Sequence, residues 1–205
     1  MSQQAWKENY HYMASLGLES VSGTGSSVES TQEVITRLPT LLAQYNIQSM
    51  MDIPCGDHNW MHHVPLGNVK YIGADIVEDL ITSNQTKYPE VDFRCLDITT
   101  DLLPPVDLIM VRDCFVHLSE VDIGRAVRNM GRQPPRYILT TTFTGLREYY
   151  DIPTTGWRTI NFEKAPFNWP APIHIINERC PEQGGIYHDK CLGLWNFSDV
   201  ESLVC

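Results

Sequence analysis

The sequence predicts an α/β fold: a doubly wound, mostly parallel sheet of seven strands with an antiparallel pair of strands at its C-terminal end. Three observations carry that reading. Between residues 31 and 142, short apolar runs of strand length alternate with segments whose apolar residues recur at helical spacing. The first three of these runs end on an acid, Asp52, Asp75 and Asp97, and the fourth leads into Asp113. Two further strand-like runs follow a Pro-rich irregular stretch and lie close enough in sequence to pair antiparallel. A length of 205 residues suits a single domain, 1–205.

The elements follow in order. Residues 31–45 place Val34, Ile35, Leu38, Leu41 and Leu42 on one helical face, and Pro39 inside that run should kink or restart the helix. Residues 49–53 read as a short buried strand running into the turn Pro54-Cys55-Gly56-Asp57. A second strand covers 69–75, a helix 79–87 and a third strand 91–97. The apolar run 106–111 is a fourth strand, 121–130 a helix and 136–142 a fifth strand. The chain is then Pro-rich and irregular over 144–172, before the strand candidates 173–178 and 191–197.

Composition narrows the function. Hydrophobic residues make up 42% and charged residues 20%, so the bulk of the chain can bury a core and is not disordered. No run of 18 apolar residues spans a bilayer, and the start, Met1-Ser2-Gln3-Gln4-Ala5-Trp6-Lys7, lacks the basic-then-apolar pattern of a signal peptide. A cytoplasmic protein is expected, in the host cytoplasm if the source is viral. Cysteines 55, 95, 114, 180, 191 and 205 include no C-x-x-C pair, and reduced thiols are expected. A net charge of −10 argues against a nucleic-acid partner and for a small or neutral substrate.

The strand-end acids carry the argument further. In a doubly wound sheet, ligands bind beyond the carboxyl ends of the strands, near the point where strand order reverses. A glycine-containing turn after the first strand, with an acid closing the second, resembles a Rossmann-type nucleoside site, in which that acid meets the ribose hydroxyls. Pyrophosphate binding needs G-x-G-x-x-G, and this turn keeps only Gly56, flanked by Asp52, Pro54 and Asp57. Acidic side chains repel a pyrophosphate but suit a ligand bearing an ammonium and a sulfonium, which favours S-adenosylmethionine over NAD.

Four motifs then make the sequence resemble the class I S-adenosylmethionine-dependent methyltransferases. They are Met51-Asp52-Ile53-Pro54-Cys55-Gly56-Asp57, Tyr71-Ile72-Gly73-Ala74-Asp75-Ile76-Val77, Phe93-Arg94-Cys95-Leu96-Asp97-Ile98 and Val111-Arg112-Asp113-Cys114-Phe115-Val116-His117-Leu118. More narrowly, Glu19-Ser20-Val21-Ser22-Gly23-Thr24-Gly25-Ser26-Ser27 upstream and Gly156-Trp157-Arg158 with Asn161 and Pro166-Phe167 downstream resemble a small bacterial and viral branch. That branch includes sugar O-methyltransferases of surface glycans, of the chlorella-virus capsid type. The resemblance implies that Asp52 and Gly56 lie against the methionine moiety, that Asp75 holds the ribose diol, and that Asp97 and Ile98 face adenine. Ile76 follows Asp75 in the same motif and belongs to the same site. Arg112 closes the pocket near methionine. Pro54 and His58 stand where the wider class has glycines, which makes Asp57 and Trp60 extra candidate contacts. The Gly/Ser patch around Ser26, within an N-terminal segment 1–30, either folds over the cofactor or is an N-cap loop leading to Thr31.

Methyl transfer to a hydroxyl requires removal of the hydroxyl proton. Asp113 and His117 are four apart after the fourth strand, and an α-helical turn would put both on one side. His117 is then the candidate base and Asp113 its orienting group or a substrate contact; the alternative is a packed histidine beside Phe115 and Leu118. His58, His62 and His63 cluster in sequence but match no recognised ligand spacing, and no metal site is predicted, although some sugar O-methyltransferases use a divalent ion. Residues 144–172 are expected to form an acceptor-site insertion. Trp157, Arg158, Asn161, Asn168 and, beyond it, Glu178 are the candidate carbohydrate contacts; the alternative is that the aromatics of this stretch, Trp157, Phe162, Phe167 and Trp169, cap the sheet. A methyltransferase on another small, protein or RNA acceptor, a nicotinamide oxidoreductase and an inactive nucleoside-binding module stay open at this stage.

Overall fold

The computed structural model describes residues 3–203, so Cys205 and the first two residues of the expected N-terminal segment lie outside the described part. One sheet organises the chain: β1 (Ser49–Asp52), β2 (Lys70–Asp75), β3 (Asp92–Cys95), β4 (Leu108–Val111), β5 (Tyr137–Phe143), β6 (His174–Asn177) and β7 (Lys190–Asn196), in the order β3-β2-β1-β4-β5-β7-β6. The pairs among β1 to β5 are parallel, while β7 runs antiparallel to both β5 and β6. The chain therefore returns from β6 to insert β7 between β5 and the edge, as the expected antiparallel pair.

Both faces of the sheet are covered, and neighbouring residues of one strand serve opposite cores. Met50, Met110 and Leu139 pack with Val34, Leu38, Leu41 and Leu42 of helix α2 (Val28–Gln44). Met51, Ile109 and Ile138 pack on the other side with Ile123, Ala126 and Val127 of α4 (Glu120–Met130), while α3 (Glu78–Lys87) flanks β3. Helix caps fall where the sequence supplies them: Ser27 accepts from the Ser30 amide and Ser119 from the Asp122 amide.

The helix does not restart at Pro39; α2 runs through it as one element. Proline removes one hydrogen bond from the ladder, whereas Leu38, Leu41 and Leu42 on the same helix are at most 2% exposed, and their burial outweighs that loss. Residues 144–172 form no helix or strand, but they are packed: Phe162 stacks on Trp169 at 4.2 Å, and both are buried against Trp195. The sequence did not anticipate α1 (Gln3–Ser15), a polar helix with no fully buried residue. The remaining helices, α5 (Glu182–Gly185) and α6 (Phe197–Glu201), are short. No helix among the described residues is long and apolar enough to cross a membrane.

Candidate active site

Strand order reverses between β1 and β4, and a cavity of about 620 Å³ opens over the carboxyl ends of β1, β2 and β4. The turn after β1 forms its floor. Gly56 holds φ +54°, and a Cβ there would run into the Ser22 hydroxyl, so a side chain at this position would be strained. Its amide donates to Asp75 Oδ2 at 3.3 Å, and its carbonyl accepts from Asn84 Nδ2 at 2.7 Å. Asp75 also accepts from the Val77 amide at 3.0 Å, which fixes its carboxylate at the end of β2. Asp52 accepts from the Tyr71 hydroxyl at 3.0 Å.

Burial sets the charge of this floor. Asp52 and Asp75 are 2% and 6% exposed. Burial pushes Asp52 up to about 7, against the pull of the Tyr71 hydrogen bond and the Arg112 charge, and pushes Asp75 up to about 6, against its backbone hydrogen bonds. Two carboxylates thus sit where a positive ligand would restore their ionisation.

A strap closes one side. Asp57 accepts from Ser20 Oγ at 2.9 Å and from the Val21 amide at 3.0 Å, and Asn59 Nδ2 donates to the Ser26 carbonyl at 3.1 Å and to Glu19 at 2.7 Å. From the end of β4, the buried Arg112 reaches over the Trp60 ring and donates to the Gly25 carbonyl at 2.7 Å and to Glu178 at 2.7 Å. Helix α1 closes the roof with Ala5, Trp6, Asn9 and Tyr10. It is tethered by Gln3 to the Ile76 carbonyl and by Lys7 and His11 to Asp79.

His117 ends a single 3₁₀ turn, Phe115–His117, rather than an α-helical one. The expected shared face with Asp113 is not formed, because Asp113 takes φ +52° and turns its carboxylate to Lys190 Nζ at 2.6 Å and the Thr141 hydroxyl at 3.2 Å. Burial would raise Asp113, but Lys190 and Arg112 hold it well below the usual carboxylate range, so it is an anion at neutral pH. His117 Nδ1 lies 2.7 Å from the Gly156 carbonyl. A ring nitrogen facing a carbonyl must carry the proton, which leaves Nε2 with the lone pair. Burial lowers the His117 pKa, more than the Gly156 bond and the Asp113 charge raise it. The ring is neutral at pH 7 and able to accept a proton.

Of the residues singled out by sequence, Ser26, Asp52, Gly56, Asp57, Trp60, Asp75, Ile76, Ile98, Arg112, Asp113, His117 and Trp157 all line this cavity. Asp97 does not: β3 stops at Cys95, and Asp97 Oδ1 is taken by the amide and hydroxyl of Thr99 in a turn at 2.8 and 2.6 Å. Four expected acceptor contacts also lie outside the lining. Arg158 is 1% exposed and clamps the Phe115 carbonyl at 3.2 Å and the Tyr149 hydroxyl. Asn161 caps the Glu163 amide, Asn168 bonds the Pro166 carbonyl, and Glu178 is buried beneath Arg112. Their polarity serves the irregular segment's own backbone and the buried ion pairs. Sequence reasoning missed the α1 wall, whose signal was Trp6 and Tyr10 one helical turn apart. His58 sits outside the lining among Tyr71, Tyr88 and Phe93, where burial lowers it to about 4. Among the described residues no group of three or more His, Cys, Asp or Glu is arranged to hold a metal.

No protein-family model matches the chain, and no curated protein matches it. Solved structures do. A S-adenosylmethionine-dependent methyltransferase from Leishmania major superposes with a TM-score of 0.67 at 14% identity, over 92% of this chain and 82% of that one. Human N-acetylserotonin methyltransferase, in complex with S-adenosylmethionine, gives 0.59 at 13% identity, over 91% of this chain and 55% of the human one. A methyltransferase from Clostridium acetobutylicum gives 0.48 at 11% identity, over 55% of this chain, which spans 50% of its length. The architecture shared with the Leishmania and human structures is the Rossmann-like seven-stranded fold of S-adenosylmethionine-dependent methyltransferases.

Proposed function

We propose that the protein is a S-adenosylmethionine-dependent O-methyltransferase acting on a hydroxyl of a sugar in a surface or capsid glycan. The observation that carries this reading is that a neutral imidazole with a fixed tautomer and two buried carboxylates line one cavity at the strand switch point. The lining suits the cofactor by its chemistry. Asp75 at the end of β2 is an acceptor for a ribose diol, and Asp52 complements a cationic amino-acid end, with Arg112 beside it for the carboxylate. Ile76, Leu80, Leu96 and Ile98 offer apolar surface to a flat base. A cavity of about 620 Å³ lies in the range of small-molecule sites. The α1 helix and the strap at residues 19–26 cover the ligand and exclude water.

When bound, the cofactor supplies a methyl group on a positively charged sulfur. The chain's own residues do the rest. His117 Nε2 accepts the hydroxyl proton as the acceptor oxygen attacks, and the Gly156 carbonyl keeps the ring turned for that task. The Asp113 anion stabilises the imidazolium that results, and the proton then leaves to solvent. On the acceptor side, Trp6, Tyr10 and Trp157 offer ring surfaces to the C–H faces of a sugar, and the net charge of −10 disfavours a polyanionic acceptor. The test is transfer of labelled methyl from the cofactor to a panel of methyl glycosides, with RNA and peptide acceptors alongside. Transfer to a glycoside is expected. Transfer only to RNA or peptide removes the sugar assignment, and absence of cofactor binding removes the reaction.

A further inference from the structure

The aromatic surface does not stop at the mouth of the cavity. Trp157 lines the cavity and is 43% exposed. It meets Tyr187 edge-on, with 5.3 Å between centroids, and the buried Phe143 at 6.5 Å. Phe143 meets Tyr187 at 5.9 Å, and neither belongs to the cavity lining. Arg147 closes the group, its guanidinium 5.3 Å from the Phe143 ring and 5.7 Å from the Tyr187 ring. Both of its terminal nitrogens donate to Asp189, and one also donates to the Ile186 carbonyl at 2.9 Å. Asp189 is itself fixed by the Gly145 amide at 2.8 Å. These bonds use three of the five guanidinium donors and hold the others in a set direction. Leu146, Tyr150 and Ile186 are exposed on the segments that carry this group.

Chain continuity ties this surface to the reaction centre. Gly156, whose carbonyl orients His117, directly precedes Trp157. A group seated with its hydroxyl at His117 therefore has Trp157 beside it, and Tyr187 and Arg147 beyond. Ring surfaces set beside an immobilised multi-donor cation match a pyranose, which presents C–H faces and hydroxyls together. A wall held rigid before binding loses little entropy on engagement.

We propose that Trp157, Tyr187 and Arg147, backed by Phe143, form a distal saccharide subsite, so that the acceptor is an oligosaccharide or glycan end of at least two rings rather than a free monosaccharide. This rests on the sugar O-methyltransferase reading above. The test measures methyl transfer to matched methyl glycosides of one, two and three rings, with intrinsic tryptophan fluorescence titrated against the same glycosides. A second ring should lower KM roughly 3- to 30-fold with kcat little changed. Tyr187→Ala and Arg147→Ala should erase that gain while monosaccharide turnover stays near wild type, and Tyr187→Phe should retain it, which separates lost stacking from misfolding. Equal KM at every length, or an equal loss on one ring and three in Tyr187→Ala, overturns the subsite and leaves the reaction standing. Length-dependent fluorescence change without methyl transfer upholds the subsite and removes the reaction. No fluorescence response and methylation of a peptide or RNA instead overturns both.

Discussion

Binding of S-adenosylhomocysteine, the stable demethylated cofactor, should expel protons from the floor of the cavity. Asp52 titrates at about 7 and Asp75 at about 6 in the free protein, because burial opposes their charge. At pH 6.5 the first is then about three-quarters protonated and the second about one-quarter. A ligand that requires both as anions displaces about one proton at that pH, and about a tenth of one at pH 8. The same linkage weakens affinity about fivefold between pH 8 and 6.5, and about 100-fold by pH 5.5. Calorimetry at pH 6.5 in buffers of different ionisation enthalpy reads the proton count directly. Asp52→Asn supplies the control and should remove about three-quarters of the release. It should also stabilise the ligand-free protein at pH 8, by up to about 4 kcal/mol. The sign follows from a carboxyl whose folded pKa lies above its unfolded one. Its ionised form is disfavoured in the fold, that cost is fully present above pH 7, and a neutral isostere lacks it. Buffer-independent heat at pH 6.5 would refute the reasoning, since the ligand would not then be ionising the two carboxyls.

Three further outcomes are expected. His117→Ala should lower kcat about 10²- to 10⁴-fold with S-adenosylhomocysteine affinity unchanged, and wild-type kcat should rise with pH through a limb below 6.5, because burial lowers this histidine; a near-normal kcat would place the base elsewhere. Gly56→Ala should cost about 1–3 kcal/mol by thermal melting, because φ is +54° and the new methyl meets Ser22, and it should loosen cofactor binding as well. Arg112→Met should destabilise by up to about 3–5 kcal/mol and open residues 20–26 to protease, because it strips the buried Glu178 of its 2.7 Å partner and leaves it only Lys190 at 3.4 Å; adding Glu178→Gln should restore much of the stability, and no recovery would disprove the pairing.

The strands were legible because a buried parallel sheet demands short apolar runs, and the acids ending β1 and β2 stand out against them. Asp52, Gly56 and Asp75 could be placed for that reason, as could Arg112 and His117 just past β4. Residues 144–172 were harder. Polar side chains in an irregular segment bond the chain's own backbone, and nothing in the sequence distinguishes Arg158 holding the Phe115 carbonyl from an arginine awaiting a ligand. Helix α1 escaped notice because it buries no residue fully and so writes no apolar stripe. Asp113 looked like the start of a helical turn, but it takes a left-handed φ and its carboxylate pairs with Lys190, far along the chain.

The strap's fastenings also bear on when the site comes into being. Ser20 meets Asp57 across 37 positions, Gly25 meets Arg112 across 87, and Thr24 meets Glu182 across 158. Ribosomes deliver residues in order, so the strap emerges before its anchors and waits for the most distant of them, Glu182, over 158 further positions. Each of these closures costs loop entropy that the assembled sheet repays, so they are expected to form late in folding. A ligand gripping the finished cavity should therefore slow unfolding and leave the folding rate untouched.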